Sequence, residues 1–314
     1  MEEKLTSKIV YFRNLNGNPE YTKVLAQALQ TNKTLQLLHL TTNHITDKGA
    51  IALAQALQTN QTLQELDLGH SQIGYEGAIA LAQALQTNQT LQELDLGHSQ
   101  NGYEGAIALA QALQTNKTLK KLNLCYNEIG DDGVIALAQV LENNRTLKYL
   151  DFSRNFIGDD GIIALAQVLQ TNKTLKELDL SNNEFTDDGV IPLAEVLENN
   201  KTLKTLYLSQ NDIGDDGVIA LTKALEKNET LKSLYLEQAR FGKDGLIALT
   251  FSLFINKSLY VLILDYGNME ANQFNRIQTK DRDILKKRKQ YEKLLRLLNS
   301  TFLSDDVLSS TILI

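Results

Sequence analysis

The chain has 314 residues, 43% of them hydrophobic and 22% charged, with a formal net charge of -7. No apolar run approaches the ~18 residues that a membrane span needs, and the single cysteine, Cys125, excludes an intramolecular disulfide framework. The start, Met1-Glu2-Glu3-Lys4, leads only into a short apolar stretch at Ile9 to Phe12, which is no secretory signal, so a reducing, cytoplasmic compartment is expected.

Residues 1–31 read as a degenerate copy of a unit that recurs along the chain. Leu25 to Thr31 repeats Leu53 to Thr59, and Val10 and Phe12 fill the slots of Leu38 and Leu40. This predicts an amino-terminal cap over the open edge of a repeat array.

From Asn32 the chain repeats Asn-x-(Thr/Ser)-Leu-x-x-Leu-x-(Leu/Phe) nine times, with Asn32, Asn60, Asn88, Asn116, Asn144, Asn172, Asn200, Asn228 and Asn256 each 28 residues apart. A fixed period of that size identifies a solenoid. In each copy Leu66 and Leu68, or their equivalents, alternate with polar Glu65 and Asp67, the two-residue period of a short strand. Ala78, Leu81, Ala82 and Leu85 then fall on one face of a helix. A strand and a helix per copy predict parallel strands side by side with helices behind them, the sheet lining the concave side. On Leu147-x-x-Leu150-x-Phe152-x-x-Asn155 and the following Ile157-Gly158-Asp159-Asp160-Gly161, the chain resembles ribonuclease-inhibitor-type leucine-rich repeat proteins over roughly residues 21–268. The resemblance implies an α/β horseshoe, with domains at 1–31 (cap), 32–268 (repeats) and 269–314 (carboxy-terminal capping helix and tail).

Several columns of the repeat read as structural. The Asn-x-Thr/Ser junctions mimic glycosylation acceptors and are expected instead to satisfy backbone groups in the turn. Asn43, Asn127, Asn155, Asn183 and Asn211 form an asparagine ladder that Ser71 and Ser99 interrupt. The pairs Asp131-Asp132, Asp159-Asp160, Asp187-Asp188 and Asp215-Asp216 precede helices and are expected to cap them. Pro192 fits a helix beginning near Asp188, where no donor is required. Asn60–Thr87 and Asn88–Thr115 differ only at Ile73 and Asn101, so Asn101 puts an amide into an apolar slot.

Function is expected at the outward strand positions, where folding leaves the residue free. These are acidic in the first half (Glu65, Asp67, Glu93, Asp95) and mixed with aromatics in the second (Tyr149, Asp151, Glu177, Asp179, Tyr207, Tyr235), with Tyr207, Tyr235 and Ile263 in one column. Tyrosines beside charge on a rigid sheet have the composition of a protein-binding hot spot. Cys125 should face outward near His98 and Asp95, and His70 and His98 lie near Asp67, but an open sheet offers no enclosed pocket, so neither catalysis nor a metal or cofactor is assigned.

Lys120, Lys148, Lys176, Lys204 and Lys232, with Lys117, Arg145, Lys173 and Lys201, make a basic rim at the strand entrances. The net charge and the acidic inner face argue against nucleic acid there. Ile277, Ile284, Tyr291 and Leu298 recur every seven residues and predict a basic helix over 280–299 that closes the core. The expected function is a monomeric, non-enzymatic scaffold that binds a protein partner on its concave face. Resemblance to leucine-rich-repeat effectors of intracellular bacteria extends this to a host protein, reached in the host cytosol after non-classical secretion. Resemblance to the Ran GTPase-activating proteins and the ribonuclease inhibitors leaves regulation of an enzyme as the alternative.

Overall fold

The structure is a computed structural model that describes residues 7–12, 18–265 and 277–278. Each 28-residue period closes into one strand and one helix. The strands are β1 (Ile9–Tyr11), β2 (Leu37–His39), β3 (Glu65–Asp67), β4 (Glu93–Asp95), β5 (Lys121–Asn123), β6 (Tyr149–Asp151), β7 (Glu177–Asp179), β8 (Thr205–Tyr207), β9 (Ser233–Glu237) and β10 (Val261–Asp265). Between them run α1 (Pro19–Thr31), α2 (Asp47–Leu57), α3 (Tyr75–Thr87), α4 (Gly102–Thr115), α5 (Gly130–Leu141), α6 (Asp159–Leu169), α7 (Asp187–Asn199), α8 (Asp215–Lys227) and α9 (Lys243–Ile255).

Strands β1 to β10 pair in parallel and in sequence order, each offset by one repeat from its neighbour, so the sheet is open. One continuous apolar core separates sheet from helices. Leu38, Leu66, Leu94, Leu122, Leu150, Leu178, Leu206 and Leu234 point into it from the strands, and Leu53, Leu81, Leu109, Leu137, Leu165, Leu193 and Leu221 meet them from the helices. A two-residue strand, β11 (Ile277–Gln278), pairs antiparallel with β10 and occupies its outer edge. Ile277 therefore belongs to a strand and not to a helical heptad. The predicted helix over 280–299 lies outside the described residues.

Two asparagine ladders carry the backbone between copies. Where each helix turns back toward the sheet, the buried Asn60 accepts the amides of Thr62 and Leu63 and donates to the Leu29 carbonyl of the preceding copy. Asn88, Asn116, Asn144, Asn172, Asn200 and Asn228 make the same set. Their burial closes these acceptor motifs to a glycan in the folded chain. After the strands, Asn155 donates to the Leu124 carbonyl and accepts the Asn127 and Ile129 amides at 2.9 and 3.3 Å. Asn183 repeats the pattern. At Ser71 and Ser99 the side chain is too short to span this gap, and both hydroxyls are buried without a partner.

The aspartates before the helices cap them across the repeat boundary. Asp47 accepts the amides of Gly74 and Gly77 at the start of α3, and Asp131, Asp159 and Asp215 do the same for the helices after their own. Asp187 accepts from Gly214. The expectation that each pair caps its own helix is thus corrected to a staple between copies. Tyr75 and Tyr103 replace the stapling aspartate in two copies. In the copies after them, α4 and α5 begin at glycines with φ of +62° and +60°, Gly102 and Gly130, a conformation no other glycine of the described residues shows. The position of Pro192 is also corrected: α7 starts at Asp187, so the proline lies past the first turn and removes a bond to the Asp188 carbonyl.

Candidate protein-binding face

The outward side chains of the short strands form two rows across the sheet. The first contains Glu65, Glu93, Lys121, Tyr149, Glu177, Thr205 and Ser233, each paired in register with the next. The second runs from His39 through Asp67, Asp95, Asn123, Asp151, Asp179, Tyr207 and Tyr235 to Ile263. All eleven residues singled out in the sequence lie in these rows. Tyr149 is in the first, so it stands beside Glu177 and not in the column of Tyr207 and Tyr235.

Crowding at the sheet changes their character. Asp151 is buried, and Asp67, Asp95, Asp179, Tyr149, Tyr207 and Tyr235 are half-buried rather than freely exposed; Glu177 is exposed. Neighbouring strands lie ~4.8 Å apart, so each side chain covers its neighbour's flank.

The second row also has a folding duty that the repeat pattern does not reveal. The carboxylates of Asp67, Asp95, Asp151 and Asp179 accept the amides of Gly69, Gly97, Ser153 and Ser181, and the Asn123 side-chain oxygen accepts that of Cys125. Each bond pins the turn that leaves the strand. The premise that folding leaves these positions free is therefore corrected for the aspartates. Tyr207 and Tyr235 cannot make that bond. In their place Ser209 accepts the Glu237 amide from the next copy.

Second carboxylate oxygens tie Asp67 and Asp95 to the neighbouring copies, and that of Asp151 binds within its own strand. Asp67 bonds Thr41 and lies 3.4 Å from His39 Nδ1, Asp95 accepts from Asn123 at 2.9 Å, and Asp151 accepts the Tyr149 hydroxyl at 3.1 Å. Burial, followed by the charge of Asp151, pushes the Asp179 carboxyl up to about 6. Burial also raises Asp95. Tyr207 is pushed up to about 12 by burial and its contact with Tyr235. The two rings stack with centroids 4.2 Å apart and planes 19° from parallel.

Cys125 Sγ lies 3.9 Å from His98 Nε2, so the expected proximity of the pair is correct. Burial raises the thiol's pKa and lowers the imidazole's, the reverse of what an activated thiolate needs. His70 and His98 stack face to face at 3.9 Å, and no group of three metal-ligating side chains occurs among the described residues. This stack continues to Tyr126 at 5.0 Å and belongs to a column that sequence reasoning missed. Thr42, His70, His98, Tyr126, Arg154, Asn182, Gln210 and Gln238 all have positive φ, between 52° and 61°, at the same turn of successive copies. A 28-residue comparison of that position would have exposed the alignment.

Residues 98–184 and 164–262, together a little over half of the chain, match a TMOD/LMOD leucine-rich domain model, and residues 31–54 and 59–82 match a leucine-rich repeat model. No curated protein sequence matches the chain. Among solved structures it is similar to the actin-binding site 2 of leiomodin-1, at 20% identity over 52% of this chain and 87% of that one, with a TM-score of 0.41. It is also similar to an internalin C2 from Listeria monocytogenes, at 21% identity over 76% of this chain and 83% of that one, with a TM-score of 0.48.

Proposed function

The chain belongs to the leucine-rich-repeat family, and from that premise we propose that it is a scaffold binding a protein partner on its concave sheet, centred on Tyr207 and Tyr235. One observation carries this reading. In the row of turn-pinning aspartates, two adjacent copies give up that bond for a pair of stacked, half-buried rings. Rings on a sheet make a stiff, amphipathic anchor that loses little side-chain freedom on binding. Asp179 and Glu177 on the adjoining strand supply the charged flank, and Ile263 continues the row with apolar surface.

A cysteine-histidine dyad gains no support at Cys125, whose thiol burial pushes toward its neutral form beside His98. The uniformity of the copies, two of which differ at a single residue, fits an effector that works on a host protein. The test is affinity capture from host-cell lysate, comparing wild type with Tyr207→Ala/Tyr235→Ala. The double variant should melt as a folded solenoid and lose the partner by at least about tenfold, because paired hot-spot residues carry ~2 kcal/mol or more each. Undiminished capture by a folded double variant would place the site elsewhere.

A further inference from the structure

We propose that the strand-entry edge between Lys117 and Lys204 docks the protein edge-on against an anionic lipid surface, leaving the concave sheet open. Lys120, Lys148, Lys176 and Lys204 each stand one residue before a strand, and their backbones are hydrogen-bonded in series, Lys148 to Lys120 at 2.8 Å, Lys176 to Lys148 at 2.8 Å and Lys204 to Lys176 at 2.7 Å. Four exposed ammonium groups are thereby held on adjacent strands, ~4.8 Å apart at their backbones. Lys117, Arg145, Lys173 and Lys201 form a second exposed row three residues earlier.

The second row has a structural explanation in part. Lys117, Arg145 and Lys173 donate to the carbonyls of Gln114, Glu142 and Gln170, near the ends of the preceding helices. No such duty explains Lys148, Lys176 and Lys204. Among the described residues, none of these eight side chains lies within ion-pair distance of a carboxylate. Their like charges are left to repel one another until an anionic surface meets them. In the copies just before, the first row is uncharged at Gln36, Gln64 and Gln92 and the second at Gln61 and Gln89, with Lys8 and Lys33 as isolated charges nearer the amino terminus, so the continuous rows begin at Lys117.

Shape and the remaining charges choose a planar partner. Helices start at the opposite edge of the solenoid, where Asp132, Asp160, Asp188 and Asp216 are exposed. Apart from Glu142 and Glu198 at the helix ends on the basic side, the charge is thus divided between two edges, and an anionic plane attracts one and repels the other. A flexible phosphate chain would have to run past the strand carboxylates, such as Glu177 immediately after Lys176. Between Lys117 and Lys204 it would also find no ring on which to stack a base; the ring in that column, Tyr260, lies two copies beyond Lys204 and is covered by Lys232 at 5.2 Å. A bilayer touches the edge alone, and each lysine brought to it contributes about fivefold to partitioning.

The experiment is cosedimentation of the full chain with phosphatidylserine-containing phosphatidylcholine vesicles, with pure phosphatidylcholine as control, over a range of salt. Wild type should bind only the anionic vesicles and lose binding as salt shortens the screening length. Lys120→Glu/Lys148→Glu/Lys176→Glu/Lys204→Glu should melt where wild type melts and partition at least about a hundredfold more weakly. The corresponding Lys→Gln variant, milder for folding, should fall between them. Equal partitioning of the charge-reversed variant, or no preference of wild type for anionic vesicles, would overturn the proposal. A lysine-dependent preference for a single-stranded oligonucleotide over the vesicles would overturn it in favour of nucleic acid.

Discussion

Asn101 illustrates how a single side chain reports on the repeat. It is fully buried, its side-chain nitrogen reaches only the Leu96 carbonyl at 3.5 Å, and its side-chain oxygen has no partner. Ile129 and Ile157 fill the same slot in later copies and are buried there. Removing a buried unpaired amide is worth about 1–3 kcal/mol, so Asn101→Ile should raise the melting temperature, and an unchanged or lower value would contradict the packing described. Asp179 gives a pH-dependent counterpart. Its folded pKa, about 6 against an ordinary value of 3.8, means that the folded chain holds the extra proton between those values. Stability contributed by protonation is therefore present at acid pH and lost as pH rises through about 6. Asp179→Asn keeps an acceptor for the Ser181 amide and should stabilise the protein at pH 7.5 but not near pH 4. A gain of equal size at both pH values would dissociate the effect from titration. Both residues are visible in the sequence as members of a column. The turn bond of Asp179 is not, because it depends on how the chain leaves the strand.

At the scale of the element, the staple between copies decides where helices begin. Asp159 accepts the Thr186 and Gly189 amides and its second oxygen takes the Thr186 hydroxyl at 2.9 Å, all in the next copy. Its neighbour Asp160 is exposed and makes none of these bonds. Asp159→Ala should cost about 1–2 kcal/mol in urea unfolding and Asp160→Ala close to nothing, whereas equal costs would return both residues to dipole effects alone. The acidic pairs were legible as caps from their position before each helix. Which helix each one caps was not legible, since a bond over 27 to 30 residues leaves no local trace. The same limit explains Pro192: periodicity located the helix, and only the observed boundary at Asp187 shows that the proline lies beyond the first turn.

For the whole molecule, the 28-residue period carried nearly all the architecture. A helix and a strand that cannot bury their apolar faces alone must stack, and identical spacing forces equal register. The pairing of Glu65 with Glu93 or Tyr207 with Tyr235 follows from counting. The candidate face was legible as columns, while its division into turn-pinning aspartates and unpinned tyrosines required geometry. The most direct measurement of the binding claim is photo-crosslinking in lysate, with a benzophenone amino acid replacing Tyr235 on the sheet or Phe251 on α9, which is 43% exposed on the helical side. A discrete adduct from position 235, competed away by unmodified protein and absent from position 251, is the predicted result. Adducts from position 251 alone would contradict it.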